Sequence, residues 1–283
     1  MRILITGGNG QLGRALQTAF PSDTVDALGH SALDITSREH VSRTLSRLEP
    51  DCVIHAAAWT DTAGCERNPD LAMRVNGEGA AIVAEACREI GSALLYISSN
   101  EVFDGEKPTP YVEDDHPNPI NAYGRSKLEG EGRVQAVLDR SCIVRTSSLY
   151  GPGRASFPEK ILGAAGRGGP LKLVTDEIAS PTFTVDLAQG VARLVRERET
   201  GLFHLTNTGA CSRREWAEEV LRLAGVSVAI EPVTQAEYGG PFRKPVNSVL
   251  ENGNAAQLGV TLRPWQEALA EHVQSAVSQG VPS

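Results

Sequence analysis

The residues richest in chemistry stand at Tyr123-Gly124-Arg125-Ser126-Lys127. A spacing of four puts both ends of this segment on one helical face, so the Lys127 ammonium can approach the Tyr123 phenol. A free phenol titrates near ~10, too high for ready proton exchange at neutral pH. A fixed neighbouring cation favours the phenolate and lowers that value, which suits Tyr123 to general acid catalysis. Upstream, Ile97-Ser98-Ser99-Asn100 ends an apolar run in two hydroxyls. Such serines either cap a strand end or hydrogen-bond a substrate carbonyl together with the tyrosine hydroxyl. Only the serine in register with Tyr123 needs to be catalytic.

A second constellation is Gly7-Gly8-Asn9-Gly10-Gln11-Leu12-Gly13, directly after the apolar run Ile3-Leu4-Ile5 and opening an amphipathic helix. In that context Gly7 permits a tight turn, Gly10 lets the backbone approach a pyrophosphate, and Gly13 lets the helix pack closely on the strand. The helix N-terminus adds free amides and a positive dipole. The pattern points to a bound dinucleotide.

These groups need a scaffold. Short β-rich runs at 2–6, 25–28, 52–56, 94–98 and 142–146 alternate with helical patterns at 12–20, 37–48, 70–90 and 123–137. Ser37 is placed to cap the second helix, and Asn68-Pro69 to open the third. Apolar strands separated by helices imply a parallel sheet covered on both faces. The expected fold is therefore α/β, a Rossmann-like doubly wound sheet with its cleft beyond the carboxyl ends of the strands. Residues 1–150 are expected to form the dinucleotide-binding domain. Residues 151–283, broken by Gly166, Gly168-Gly169-Pro170 and Gly239-Gly240-Pro241, are expected to form a smaller substrate lobe interleaved with the last strands. Helices are expected there at 185–198, 213–224 and 264–278. The proline-rich stretch 104–121 reads as a long loop over the sheet edge, of a length that often carries function.

Composition narrows the class. Lysine plus arginine is 27 against 35 for aspartate plus glutamate, a net charge of −8 that argues against nucleic-acid binding. No apolar run reaches the ~20 residues needed to span a bilayer. Cys52, Cys65, Cys87, Cys142 and Cys211 are odd in number and never paired as CxxC, which disfavours a disulfide framework or a zinc site. With no cationic leader before Ile3, the expectation is a cytoplasmic protein that binds no metal. The sequence leaves the oligomeric state open, a homodimer included.

The glycine turn, the strand-end serines and the Tyr123–Lys127 pair, in this order, resemble the extended short-chain dehydrogenase/reductase superfamily. Val102-Phe103-Asp104-Gly105, Leu128-Glu129-Gly130-Glu131, Arg145-Thr146-Ser147 and Ser180-Pro181-Thr182 bring the likeness closer, to the dTDP-4-dehydrorhamnose reductase family. The resemblance runs from residue 1 to about 250. It implies NADPH- or NADH-dependent reduction of a 4-keto group on a nucleotide-activated deoxysugar. It makes Tyr123 the proton donor, Lys127 its tuner and a nicotinamide-ribose ligand, and Ser99 the group that orients the carbonyl. Gly7, Asn9, Gly10, Gln11, Leu12 and Gly13 would hold the pyrophosphate, with Asp34 and Ile35 beside the adenine. Ala56, Ala57, Ala58, Trp59, Thr60 and Asn76 would complete the cofactor site. Thr60, Thr62, Ser99, Asn100, Tyr123 and Ser148 would meet the sugar.

The chain departs from that family where Asn100 and Glu101 replace the usual Asp and Tyr, Ser148 the usual Trp, and Lys244-Pro245 the usual Arg-Pro. Serine at 148 removes an aromatic wall. dTDP-4-dehydrorhamnose is then expected to be reduced weakly unless a neighbour such as Trp59 refills the gap. NAD specificity needs an acid at the end of the second strand. Here that strand ends near Leu28-Gly29-His30 with Asp26 inside it, so with His30 and Arg38 nearby the balance leans to NADPH. Alternatives are a reductase or epimerase for another nucleotide sugar, or a non-catalytic subunit like the methionine adenosyltransferase β subunit, which keeps the Tyr–Lys pair.

Overall fold

The computed structural model describes residues 1–278 apart from Pro241. Pro241 and residues 279–283 of the expected lobe lie outside the described residues. The first half runs β1 (Arg2–Thr6), α1 (Gln11–Ala19), β2 (Thr24–Leu28), α2 (Arg38–Leu48), β3 (Cys52–His55), α3 (Thr62–Arg67), α4 (Pro69–Ala72), α5 (Gly79–Ile90), β4 (Ala93–Ser99), α6 (Ala122–Val137) and β5 (Cys142–Thr146). The second half adds β6 (Leu149–Tyr150), α7 (Phe157–Ala165), β7 (Leu171–Val174), β8 (Ile178–Ala179), β9 (Thr182–Phe183), α8 (Thr184–Glu197) and β10 (Gly201–His204). It closes with β11 (Asn207–Thr208), β12 (Cys211–Ser212), α9 (Arg213–Ala224), β13 (Ile230–Val233), α10 (Gln235–Tyr238), α11 (Gly253–Gln257), β14 (Leu262–Pro264) and α12 (Trp265–Ser278).

Six strands form one sheet in the order β10-β5-β4-β3-β1-β2, every neighbouring pair parallel. Alternation along β1 explains the two covered faces. Ile3 and Ile5 pack with Leu16, Leu187 and Val191, whereas Leu4 packs with Val41, Leu45 and Val83 on the other side. The sheet is Rossmann-like, and its strand order reverses between β1 and β3, the crevice where such folds place a ligand. Ser37 caps α2 by accepting from His40 N at 3.3 Å, as expected.

Two departures matter for the site. The single helix expected over 70–90 is interrupted by a wide turn at Met73–Glu78, a π-helical segment, and α3 precedes it unforeseen. The extra residue of a π-turn re-aims side chains, and here Asn76 turns inward, 1% exposed, to the backbone of Trp59. The second departure concerns 104–121, from which no residue lines the main cavity. Its Tyr111 instead stacks on Phe103 at 4.1 Å, and its carbonyl meets His204 Nδ1 of the edge strand at 3.1 Å. That loop seals the sheet edge.

The lobe has its own core of Tyr150, Ile161, Leu171, Phe183, Trp216, Trp265 and Leu269. Glu159 of α7 accepts from Ser156 N at 2.8 Å and pairs with His272 Nε2 of α12 at 2.6 Å. Burial raises the Glu159 carboxyl, but hydrogen bonds from His272 and Ser156 outweigh it and hold it at about 2. A depressed folded value stabilises above the unfolded value and is lost as pH falls through the folded one. Glu159→Gln is therefore expected to cost about 1–2 kcal/mol near neutral pH, screening at this half-buried site limiting the loss. Denaturant midpoints measured from pH 7 to pH 2 should converge for the two proteins at the acid end. Parallel curves would mean the pair contributes nothing through ionisation.

Candidate active site

A cavity of about 1140 Å³ opens along the carboxyl edge of the sheet and under the lobe. Pockets for one small ligand run to roughly 300–1,000 Å³, so this one admits a dinucleotide and a second molecule.

One end is the glycine turn. Gly7 takes φ 72°, and a side chain on it would strike Ala57 Cα at 2.8 Å. A Cβ on Gly13 would sit 2.2 Å from Gly7 O, so α1 lies directly on the turn. Gly10 caps α1 without a side-chain hydrogen bond, leaving the first-turn amides at Gln11 and Leu12 without intrahelical acceptors. Bare amides facing a cavity at a helix start fit an anionic pyrophosphate. Asn9 also lines the cavity. Gln11 reaches across it to Gly151 O at 2.6 Å, tying α1 to the lobe.

Beyond β2, Gly29, His30, Asp34 and Ile35 line the same end. Asp34 turns its carboxylate to Thr36 N at 2.9 Å and Thr36 Oγ1 at 2.7 Å, hydrogen bonds that hold it below the usual range. Asp26 lies within β2, and no acid follows Leu28 at its end. Arg38 does not line the cavity; its exposed guanidinium pairs with Glu85.

The middle wall is Ala56, Ala57, Ala58, Trp59, Thr60 and Thr62. Asn76 corrects the sequence reading: it does not line the cavity. Its amide accepts from Trp59 N at 2.8 Å and donates to Trp59 O at 3.1 Å and Ser126 Oγ at 2.9 Å. It pins that wall to α6 from behind.

Ser99, Tyr123 and Lys127 come together at the end of β4. Asn121 caps α6 by accepting from Gly124 N at 2.8 Å. A Cβ on Gly124 would fall 2.0 Å from Glu101 O, so the helix start rests on the turn at Asn100–Val102. That contact sets Tyr123 against Ser99. The phenol does not behave as its spacing from Lys127 predicts. Burial, then the Glu101 charge, push Tyr123 up, and only the Ser99 hydroxyl bond pulls it down. Lys127 is 2% exposed and donates to Ile97 O at 2.8 Å, over the Tyr96 ring at 4.1 Å. Burial draws it down to about 7, opposed by Glu131. Asn100 borders the cavity, but its amide is bound to Ser248 Oγ at 2.7 Å.

The lobe supplies residues no local pattern announces. Phe157 and Trp216 stack at 4.4 Å with the Arg213 guanidinium over both rings. Arg213 and Lys244 bind Glu177 at 2.7 and 3.3 Å. Burial raises Glu177, but those two cations hold it below its usual range. Glu101 accepts from Asn121 Nδ2 at 2.6 Å, and burial raises it against the pull of Lys244. Ser148 lines the cavity with φ 47°, a left-handed conformation.

Residues 1–278 match the family model described as the RmlD substrate binding domain. The chain belongs to the dTDP-4-dehydrorhamnose reductase family. Within that family it is 38% identical to the dTDP-4-dehydrorhamnose reductase of Streptomyces griseus over 95% of this chain and 92% of that one. It is 37% identical to the spore coat polysaccharide biosynthesis protein SpsK of Bacillus subtilis over 98% of both. The Bacillus anthracis dTDP-4-dehydrorhamnose reductase, solved in complex with NADP, superposes with a TM-score of 0.94 at 34% identity, covering 97% of this chain and 99% of that one. Among the described residues no helix is long and apolar enough to cross a membrane.

Proposed function

We propose that the protein reduces the 4-keto group of a nucleotide-activated deoxysugar with NADPH, or less readily NADH, turning dTDP-4-dehydro-L-rhamnose into dTDP-L-rhamnose. The observation that carries this reading is the meeting of Ser99 with Tyr123, one helical turn from Lys127, in a cavity whose far end is a bare amide cradle. The names of the full-length relatives support it. The lean to NADPH rests on the lack of an acid at the end of β2 and on His30, which lines the cavity there, whereas Arg38 does not line it. Free, buried cysteines fit a reducing compartment such as the cytoplasm.

When bound, the reduced nicotinamide supplies the hydride. Gln11 and Leu12 would hold the pyrophosphate by backbone N–H groups, and Ala57 to Thr60 would wall the middle of the cofactor site. Ser99 donates its hydroxyl hydrogen to the ketone oxygen and orients the carbonyl. Tyr123 keeps its proton through the neutral range, because burial and Glu101 raise it, and so remains the acid that protonates the forming alkoxide. The Lys127 ammonium supplies positive charge one turn away as the phenolate appears. Arg213 and Lys244, which share the single carboxylate of Glu177, would leave a net positive charge toward the second ligand, suited to a nucleotide diphosphate.

Consumption of NADPH with dTDP-4-dehydro-L-rhamnose, and formation of dTDP-L-rhamnose, is the expected result. Folded protein that binds NADPH yet turns over no 4-keto sugar nucleotide would sink the reading. The missing wall at 148 gives a second check. Trp59, Phe157 and Trp216 already line the cavity, and Ser148 already carries a Cβ at φ 47°, so a tryptophan there brings no new left-handed penalty. Ser148→Trp should leave KM for the rhamnose precursor within about threefold. A tenfold fall in KM would show that the aromatic face at 148 limits sugar binding.

A further inference from the structure

Lys127 is nearly sealed from solvent, and burial works against its charge. One turn further along α6 lies Glu131, 4% exposed. Its carboxylate accepts from the Ser98 hydroxyl, from Arg145 Nε at 2.9 Å and from Arg145 Nη2 at 2.7 Å. Ser98 follows Ile97, whose carbonyl receives the Lys127 ammonium. Ammonium and carboxylate therefore stand on consecutive residues of β4. Arg145 is the register partner of Ser98 on β5, which fixes the carboxylate from the far side.

We propose that the buried Ser98–Glu131–Arg145 network is a positioning device for Lys127, in which Glu131, one turn along α6 and anchored on the residue next to the ammonium's own acceptor, is the counter-charge of the buried ammonium. The inference rests on the role given to Lys127 above. A fold-stabilising ion pair is the competing account, and the surroundings favour the proposal. From β4 the ammonium faces the Tyr96 ring. From β3 it faces His55, held neutral at about 3 by burial and then by the Lys127 charge itself. The turn at Met73–Glu78 presents the neutral Asn76 to Ser126 and Tyr96. On the remaining sides of α6, Glu66 of α3 binds Ala122 N, Glu101 acts on Tyr123, and Arg133 pairs with Glu129. Among the described residues, Glu131 is the one charge that acts on Lys127 against burial.

The sign is fixed. Removing a neighbouring anion disfavours the protonated amine, so Lys127 should lose its proton at lower pH. Glu131→Gln should move the basic limb of the kcat profile from about 7 to about 6 or below, a shift of one pH unit or more. Turnover at pH 8 should fall about tenfold or more relative to wild type, with a much smaller loss on the acid side. Glu131→Asp should restore the limb. If Glu131→Gln folds poorly with Arg145 unpaired, the double variant Glu131→Gln/Arg145→Met is read against Arg145→Met alone, so that only the Glu131 charge differs. Titration of Lys127 by ¹³C NMR in the enzyme without sugar gives a readout that needs no turnover. An ammonium titrating within about 0.3 pH unit of wild type in these variants, with an unmoved limb, overturns the inference. A wild type that reduces no 4-keto sugar overturns the proposed function, while the NMR titration still decides the role of Glu131.

Discussion

Tyr123→Phe should lower kcat by about 10²–10⁴-fold, the usual worth of one positioned general acid. Phenylalanine fills the same space, and Tyr123 is packed with Trp59, Cys65, Ala72 and Ala122, so the fold should persist. NADPH affinity should stay within a few-fold, because the amide cradle at Gly10–Leu12 lies on the other side of the cavity. The loss should appear in kcat and kcat/KM alike, the signature of an interaction made in the transition state. The structure sharpens the expectation. Tyr123 is raised by burial and by Glu101, so wild-type turnover should not fall on the basic side through loss of the tyrosine proton. That limb belongs to Lys127, whose value is about 7. Near-wild-type turnover in Tyr123→Phe would remove the phenol from the chemistry.

What could be read from the chain follows the range of the forces that set each element. β1, β5 and α9 have the bounds that periodicity and punctuation suggest, and Ser37 caps where a serine before an amphipathic run should. These are local signals. The break at Met73–Glu78 had none, because it exists to turn Asn76 toward Trp59 and Ser126, residues remote in sequence. The spacing of Tyr123 and Lys127 was visible, but the direction of the phenol's shift was not. Burial and the Glu101 carboxylate arise only once α6 rests on the turn after β4. The cationic and aromatic wall of Phe157, Arg213, Trp216 and Lys244 is assembled from three separate stretches, so no window of sequence contains it. Resemblance to a family marked Lys244 and left Arg213 and Trp216 unseen.

The second large effect tests the far end of the cavity. Gly10 has φ −73° and ψ 168°, ordinary extended backbone that any residue adopts. Its Cβ would meet only Gly7 O, at 3.1 Å, a contact that small adjustments relieve. Gly10→Val should therefore fold, with Tm within a few degrees of wild type. Its methyl groups would stand over the amides of Gln11 and Leu12, where the pyrophosphate must come to backbone contact. Binding of NADPH should weaken by about 100-fold or more, roughly 3 kcal/mol. Gly13→Ala separates this blockade from damage to the fold. Alanine is the better helix former by about 1 kcal/mol, yet its Cβ would lie 2.2 Å from Gly7 O and 2.8 Å from Gly8 Cα. Backbone cannot yield that far cheaply, so overpacking at about 1–3 kcal/mol or more should win, and Gly13→Ala should melt lower. Calorimetry and thermal melts on both variants decide the matter. A folded Gly10→Val protein with unchanged NADPH affinity would place the dinucleotide away from the glycine turn. A Gly13→Ala protein as stable as wild type would mean that α1 is free to lift from the turn, and the cradle is not the rigid anion site argued for it.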